Sequence, residues 1–151
     1  MINQLYIELI IMDTIKIVRE KFSRDNYAAK LGVVLDDLTE TSITMHLHLD
    51  PSLNNFYDRP HGGAIYGLAD AAFSVLGNNS NNISVAVECS ISYHTSPSSG
   101  ETLYVRGEVI SSSRKIGTFL FTVYTEINGD KNIVATMKST LYRTGKPILG
   151  S

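Results

Sequence analysis

The chain has 151 residues, is 43% hydrophobic, carries a formal charge of −2 and contains one cysteine. That is the length of one domain, with enough apolar material to build a core without disulfides. The near-balanced charge excludes a basic nucleic-acid footprint. Cys89 alone supplies neither a disulfide framework nor a zinc cluster, so the expected setting is reducing and cytoplasmic.

Residues 1–12 are rich in isoleucine and leucine (Ile2, Leu5, Ile7, Leu9, Ile10, Ile11). The run is far shorter than the roughly 20 residues of a membrane span. It also lacks the basic start and small-residue cleavage site of a signal peptide. It reads as an N-terminal extension that adds little to function, with Met12 as an alternative start. Asp13 is placed to cap a helix over 14–23, whose stripe is Ile15, Val18 and Phe22. Segments 33–38 and 42–49 alternate as an antiparallel pair. His46 and His48 lie on the polar face of the second, with no acidic or cysteine partner in view. They read as solvent-exposed histidines, and no metal is expected. Asp50-Pro51 ends the strand.

The next stretch, residues 54–78, organises the rest. A polar loop ends in Pro60, His61, Gly62 and Gly63. Ala64, Ile65, Leu68, Ala69, Ala72, Val75 and Leu76 then recur at helical spacing, and Gly77-Asn78-Asn79 marks the stop. At about 100° per residue, Asp70 falls off this apolar stripe, beside Gly63, Gly67 and Ser74. Small neighbours let a ligand or another backbone come close to a carboxylate. Gly62 and Gly63 sit where a helix begins, so their N–H groups lack intrahelical partners and point at positive dipole potential. A carboxylate two turns beyond such amides suits acyl transfer, since the amides can hold a developing oxyanion.

Four strand-like runs follow, at 83–94, 102–112, 117–128 and 132–143. In the first, Val85, Val87, Cys89, Ile91 and Tyr93 form the expected inner face, with Cys89 as an apolar filler. Asn128-Gly129-Asp130 is a hairpin signal. The end of the chain, from Thr144 on, reads as loose. The element order gives an α+β domain, an antiparallel sheet covering one long helix. The expected organisation is an extension at 1–12, a single domain at 13–145 and a tail at 146–151.

Asn55, His61, Gly62, Gly63, Leu68, Ala69 and Asp70, spaced as Asn-x5-His-Gly-Gly-x4-Leu-Ala-Asp, resemble the signature of hotdog-fold acyl-CoA thioesterases of the phenylacetate-degradation (PaaI-type) and 4-hydroxybenzoyl-CoA groups. The resemblance extends over about residues 13–143. It implies a hotdog fold, with the sheet wrapped around one long central helix, and a homodimer or dimer of dimers (a homotetramer) whose sites are shared between subunits. It implies hydrolysis of an acyl-CoA, with coenzyme A as part of the substrate and no separate cofactor.

Carried over by position, Asp70 is the general base or the nucleophile. Gly62 supplies the oxyanion amide, His61 lies beside the thioester oxygen, and Asn55 helps place water. Gly63, Tyr66 and Phe73 are candidate substrate contacts, with Phe56 and Tyr57 beside them. Arg114 and Lys115 form a basic turn that suits the phosphates of coenzyme A, and Arg59 and Arg106 are further candidates. The chain departs from its relatives at two places. Asp58 stands where some carry glycine. Ala86 stands where a water-holding serine or threonine is expected, which makes Ser84 a substitute. The alternatives are a non-catalytic acyl-CoA binding module and a hotdog hydroxyacyl dehydratase. No nucleic-acid or membrane partner is expected.

Overall fold

The computed structural model describes residues 4–150. Those parts of the expected extension and tail that fall on residues 1–3 and 151 lie outside the described residues. The elements run α1 (Gln4–Phe22), α2 (Asn26–Leu31), β1 (Val33–Leu38), β2 (Ser42–His48), α3 (Gly62–Gly77), β3 (Ser84–Tyr93), β4 (Thr102–Ser112), β5 (Ile116–Ile127) and β6 (Asp130–Arg143). All six strands join one antiparallel sheet in the order β1-β2-β4-β5-β6-β3. The sheet curls around α3, which is the hotdog fold.

Burial explains this wrapping. Leu68, Ala69 and Ala72 of α3 are fully buried against Leu103, Phe121 and Met137 from the concave face of the sheet. Phe73 meets Phe119 and Phe121 with ring centroids 5.6 and 5.8 Å away. Gly107 of β4 is what lets the Phe121 ring lie flat here, because a Cβ at that position would run into it. The hairpin between β5 and β6 turns at Asn128 and Gly129, with φ of 54° and 86°, as the Asn-Gly pair demands.

Three expectations are corrected. The first helix does not start after Asp13. It reaches back to Gln4, so residues 4–12 are helical and Asp13 lies inside the helix rather than capping it. Helical spacing continues upstream through Ile7, Ile10 and Ile11, and the Thr14 hydroxyl donates to the Ile10 carbonyl at 2.7 Å. Nor are residues 144–150 loose. The Asn81 carboxamide oxygen accepts from the Ile148 and Leu149 amides at 3.0 and 2.9 Å, and Ile148 is buried. Finally, β3 does not present one inner face. Cys89 and Ile91 pack on the core, but Val85, Val87 and Tyr93 are exposed. A bulge between Ala86 and Glu88 shifts the register, and β3 is an edge strand.

Among the described residues, no helix is long and apolar enough to cross a membrane.

Candidate active site

Helix α3 carries the two chemical groups at different heights. At its start, His61 is the N-cap with extended backbone, and its Nδ1 accepts from the Gly63 N–H at 2.8 Å. That bond has two consequences. The Gly63 amide is satisfied, so it is not the free donor expected from the glycine pair. The neutral His61 ring must also carry its proton on Nε2, facing outward as a donor. The Gly62 N–H has no acceptor among the described residues, and it is the helix-start donor available to an oxyanion. The Gly62 carbonyl accepts from the Tyr93 hydroxyl of β3 at 3.2 Å, which fixes this turn against the sheet edge.

The loop before it is held by Asn55. Its side-chain oxygen accepts from the Tyr57 and Arg59 amides at 2.8 and 3.3 Å, so that oxygen shapes the turn. Its Nδ2 is left to contact water or substrate. Asp58 has φ of 57°, a left-handed conformation, which is why glycine suits the position and an aspartate tolerates it. Phe56 and Tyr57 lie with ring centroids 4.2 Å apart, tilted by 41°, and are 87% and 74% exposed, so within one chain they line no pocket.

Asp70 lies two turns further on. It borders a cavity of about 160 Å³ with Phe73, Ser74, Asn78, Ser84, Ala86 and others. Desolvation, and then the nearby carboxylate of Asp25, push its carboxyl above the usual carboxylate range. Among the described residues it has no hydrogen-bond or ion-pair partner. Asp25 caps α2 by accepting from Tyr27 and Ala28 at 3.0 and 2.9 Å. Tyr66 lies one helical turn before Asp70, with Cys89 as a neighbour. Burial, then the neighbouring Cys89 and the Asp70 charge, hold its phenol up to about 12, so it stays a proton donor. Phe73 is mainly core, with one edge on the cavity.

The small-residue face beside Asp70 is not wholly open. A Cβ at Gly67 would lie 2.7 Å from Leu31 Cδ1 of α2, so glycine there admits a neighbouring helix rather than a ligand. Ser84 does reach the Asp70 cavity, at the end of β3 that pairs with Arg143 of β6. The basic turn shares that end of the sheet. Lys115 lies 5.1 Å over the Tyr142 ring, and Arg114 is exposed. Arg106 is engaged by Glu108 at 2.8 Å, and Arg59 stays exposed in its loop.

Four residues around the site had no functional signal in the sequence. Arg143 is 8% exposed and donates to the Ser113 carbonyl at 2.7 Å and the Ser112 hydroxyl at 3.0 Å, which places a desolvated cation under the basic turn. Asp25 and Tyr93 are brought in by packing from distant positions, and Asn78, legible only as the stop of α3, turns its side chain to the cavity. His46 also differs from expectation: Asp36 of β1 lies 2.8 Å from its Nδ1. Among the described residues no His, Cys, Asp or Glu cluster suits a metal ion.

Residues 60–131 match the sequence model of the thioesterase superfamily. The chain has the fold and the signature of that superfamily. The Escherichia coli acyl-coenzyme A thioesterase PaaI is 24% identical over 129 residues, which is 85% of this chain and 90% of that protein. Its solved structure superposes with a TM-score of 0.83 at 21% identity, covering 89% of this chain and 95% of that one. An esterase-like protein of Archaeoglobus fulgidus is 33% identical over 86 residues, covering 57% of this chain and about half, 54%, of its own length. A Streptococcus mutans protein solved with acetyl-CoA has a TM-score of 0.71 at 23% identity, covering 76% of this chain and 90% of that one. The matching family model and the named relatives are thioesterases and esterases, and the superposed structures share the fold.

Proposed function

We propose that the protein hydrolyses acyl-CoA thioesters at a site assembled from two copies of the chain. One observation carries this reading. The half-buried Asp70 carboxylate and the free Gly62 amide are complementary, yet they are eight residues apart on one rigid helix. At 1.5 Å rise per residue the separation is about 12 Å, too far for both to touch one thioester. A second copy can present its Gly62 to this copy's Asp70.

The exposed edge of β3 is the surface suited to bring that copy. It offers ten residues, with Val87 63% exposed. Unpaired edges of this kind are normally blunted by charge or covered.

In the general-base route Asp70 takes a proton from water. The water oxygen attacks the thioester carbonyl, and the Gly62 N–H and His61 Nε2–H receive the oxyanion. The C–S bond then breaks and the coenzyme A thiolate takes the proton from Asp70. In the nucleophilic route the Asp70 oxygen attacks directly and the C–S bond breaks, expelling the coenzyme A thiolate; water then hydrolyses the resulting anhydride, and the proton it releases goes to the thiolate. Ser84 in the cavity wall supplies the hydroxyl that Ala86 lacks, which supports turnover over binding alone. Arg114 and Lys115 attract the phosphates. That the Streptococcus mutans neighbour was solved with acetyl-CoA supports coenzyme A as the carrier.

The test is complementation. Asp70→Asn should lose about 10²-fold or more of kcat. Gly62→Pro deletes the N–H alone, since proline suits the first helical position and His61 already has the extended backbone that precedes it. It should lose about 10²–10³-fold. Mixing the two inactive proteins under subunit exchange should restore roughly a quarter of parental activity, because half the dimers carry one intact site. Parental turnover in Asp70→Asn would remove Asp70 from the chemistry, and an inactive mixture would refute the shared site.

A further inference from the structure

We propose that residues 144–149 form a strap that sets Ser84 for the reaction, with Asn81 and Asn82 as the positioning residues that fasten it. The inference rests on the thioesterase reading and adds to the machinery of the same site.

After β6 the chain turns back along Ile83, the residue before β3. The Ile83 N–H donates to the Lys146 carbonyl at 2.8 Å. The Ile83 carbonyl accepts from the Thr144 N–H at 2.9 Å and the Thr144 hydroxyl at 2.7 Å. Both backbone groups of Ile83 are therefore held by the strap. The loop between α3 and β3 holds the strap in turn. The Asn82 carboxamide oxygen accepts from the Gly145 N–H at 3.0 Å, and that of Asn81 takes the Ile148 and Leu149 amides. Asn81 has φ of 51°, a left-handed conformation that asparagine tolerates better than most residues. Burial of Ile148 closes the far end of the strap.

Ser84 is the next residue along. Its N–H donates to the Asn78 carboxamide oxygen at 2.9 Å, and its hydroxyl donates to the Asn82 carbonyl at 3.0 Å. A serine hydroxyl has one proton and two lone pairs. With the proton spent on Asn82, Ser84 can only accept from the cavity that it shares with Asp70. A water there has two protons. Asp70 receives one as the base, and Ser84 Oγ accepts a hydrogen bond from the other. The water lone pair is then left for the thioester carbonyl. A slack strap would release Ile83 and, with it, the Asn82 carbonyl. The Ser84 hydroxyl would then turn its proton toward the carboxylate, a stronger acceptor, and compete with the water for the base.

The experiment measures thiol release by the full chain from acetyl-, hexanoyl-, phenylacetyl- and palmitoyl-CoA. A double-mutant cycle is then run on the member turned over fastest. Asn81→Gly removes the carboxamide and suits the left-handed backbone, and it should lower kcat about fivefold with KM nearly unchanged. Asn81→Asp keeps an acceptor oxygen and should retain about half of the parental kcat or more. Ser84→Ala should lower kcat about tenfold. Adding Asn81→Gly to Ser84→Ala should cost less than about twofold more, because the strap acts through the lost hydroxyl. A strap that only stabilises the fold would cost the same factor in both backgrounds. If Asn81→Gly does not melt cooperatively, Asn82→Ala replaces it in the cycle, losing the Gly145 tie and keeping the backbone carbonyl. Equal costs in both backgrounds, or parental kcat in either the strap variant or Ser84→Ala, would overturn the positioning role and leave the thioesterase reading intact. A parent that releases thiol from no member of the panel would overturn the thioesterase reading itself.

Discussion

The start and the middle of α3 are built in opposite ways. At the start, the His61 ring is exposed, the Gly62 amide is free, and the flanking loop points two aromatic rings into solvent. Water can solvate every group there, and positive dipole potential costs nothing. In the middle, α2 covers the helix through Tyr27 and Leu31, and Asp70 is left half-buried beside another carboxylate, Asp25. A donor waits in the open at one end, and a half-buried base waits under cover at the other. Each end lacks what the other has, and the rigid helix between them keeps them apart. Under the proposed function, pairing two copies would supply each end with its complement.

The largest effects should come from removing either end. Gly62→Pro and Asp70→Asn should each fall about 10²-fold or more in kcat with the helical circular-dichroism signal retained. Loss confined to one of them would mean that only that end meets the substrate.

A smaller effect should follow from separating the copies. The two edges of the sheet offer matched positions. β1 is six residues long, holds Asp36 and Asp37, and is tied to α1 by Arg19–Asp37 at 3.9 Å. β3 carries a single charge, Glu88, and among the described residues no ion pair ties it to a helix. Val87→Lys on β3 should yield monomers in sedimentation analysis and lower turnover about tenfold or more, since an edge lysine opposes strand pairing. Val34→Lys on β1 should change neither. Equal effects at both edges would show that β3 is not the joining edge.

Much of this was legible in the sequence, for a physical reason. The alternation of 42–49 and 102–112, the Asn-Gly turn and the stripe of α3 are local patterns, and tertiary packing did not override them. The helix-start donor was legible too, because capping is local. What the sequence hid was set by contacts across long distances. No spacing announces that Asp25 approaches Asp70, that Tyr93 braces the Gly62 carbonyl, or that Arg143 lies under the Ser112-Ser113 turn. The glycine pair misled by half: His61 reaches its own second neighbour, so one amide is spent. Residues 4–12 hide their helix because their isoleucines, Ile7, Ile10 and Ile11, crowd among other apolar residues and blur the upstream continuation of the α1 stripe.

The buried end should also show itself in pH. Desolvation and Asp25 hold the Asp70 carboxyl above its usual range, and a general base works only when ionised. The acid limb of the kcat profile should therefore lie above ordinary carboxylate values. Asp25→Asn keeps a competent N-cap for α2 and removes the like charge. The limb should move to lower pH, by less than the whole displacement, because desolvation is the larger cause. A limb that stays fixed would mean that Asp25 does not reach Asp70 electrostatically, or that another group sets the profile; comparing Asp70→Glu separates the two.

The smallest effect concerns stability, and its sign follows from the same carboxylate. The folded chain holds the Asp70 proton more tightly than the unfolded chain does. Between the unfolded value and the raised folded one, the folded state carries the extra proton, so stability falls as pH rises through that window. Above it the cost of an ionised, unpartnered carboxylate is fully present; below about pH 4 it vanishes, because the group is neutral in both states. Asp70→Asn removes the ionisation at nearly constant shape. The variant should melt above the parent near pH 7, and the gap should close as pH approaches about 4. The exposed end of α3 predicts no such behaviour, so His61→Asn, which keeps a capping side chain, should show no comparable gain near pH 7. An Asp70→Asn protein that melts below the parent near pH 7 would mean that the carboxylate is held by favourable contacts, and the contrast between the two ends of the helix would be lost.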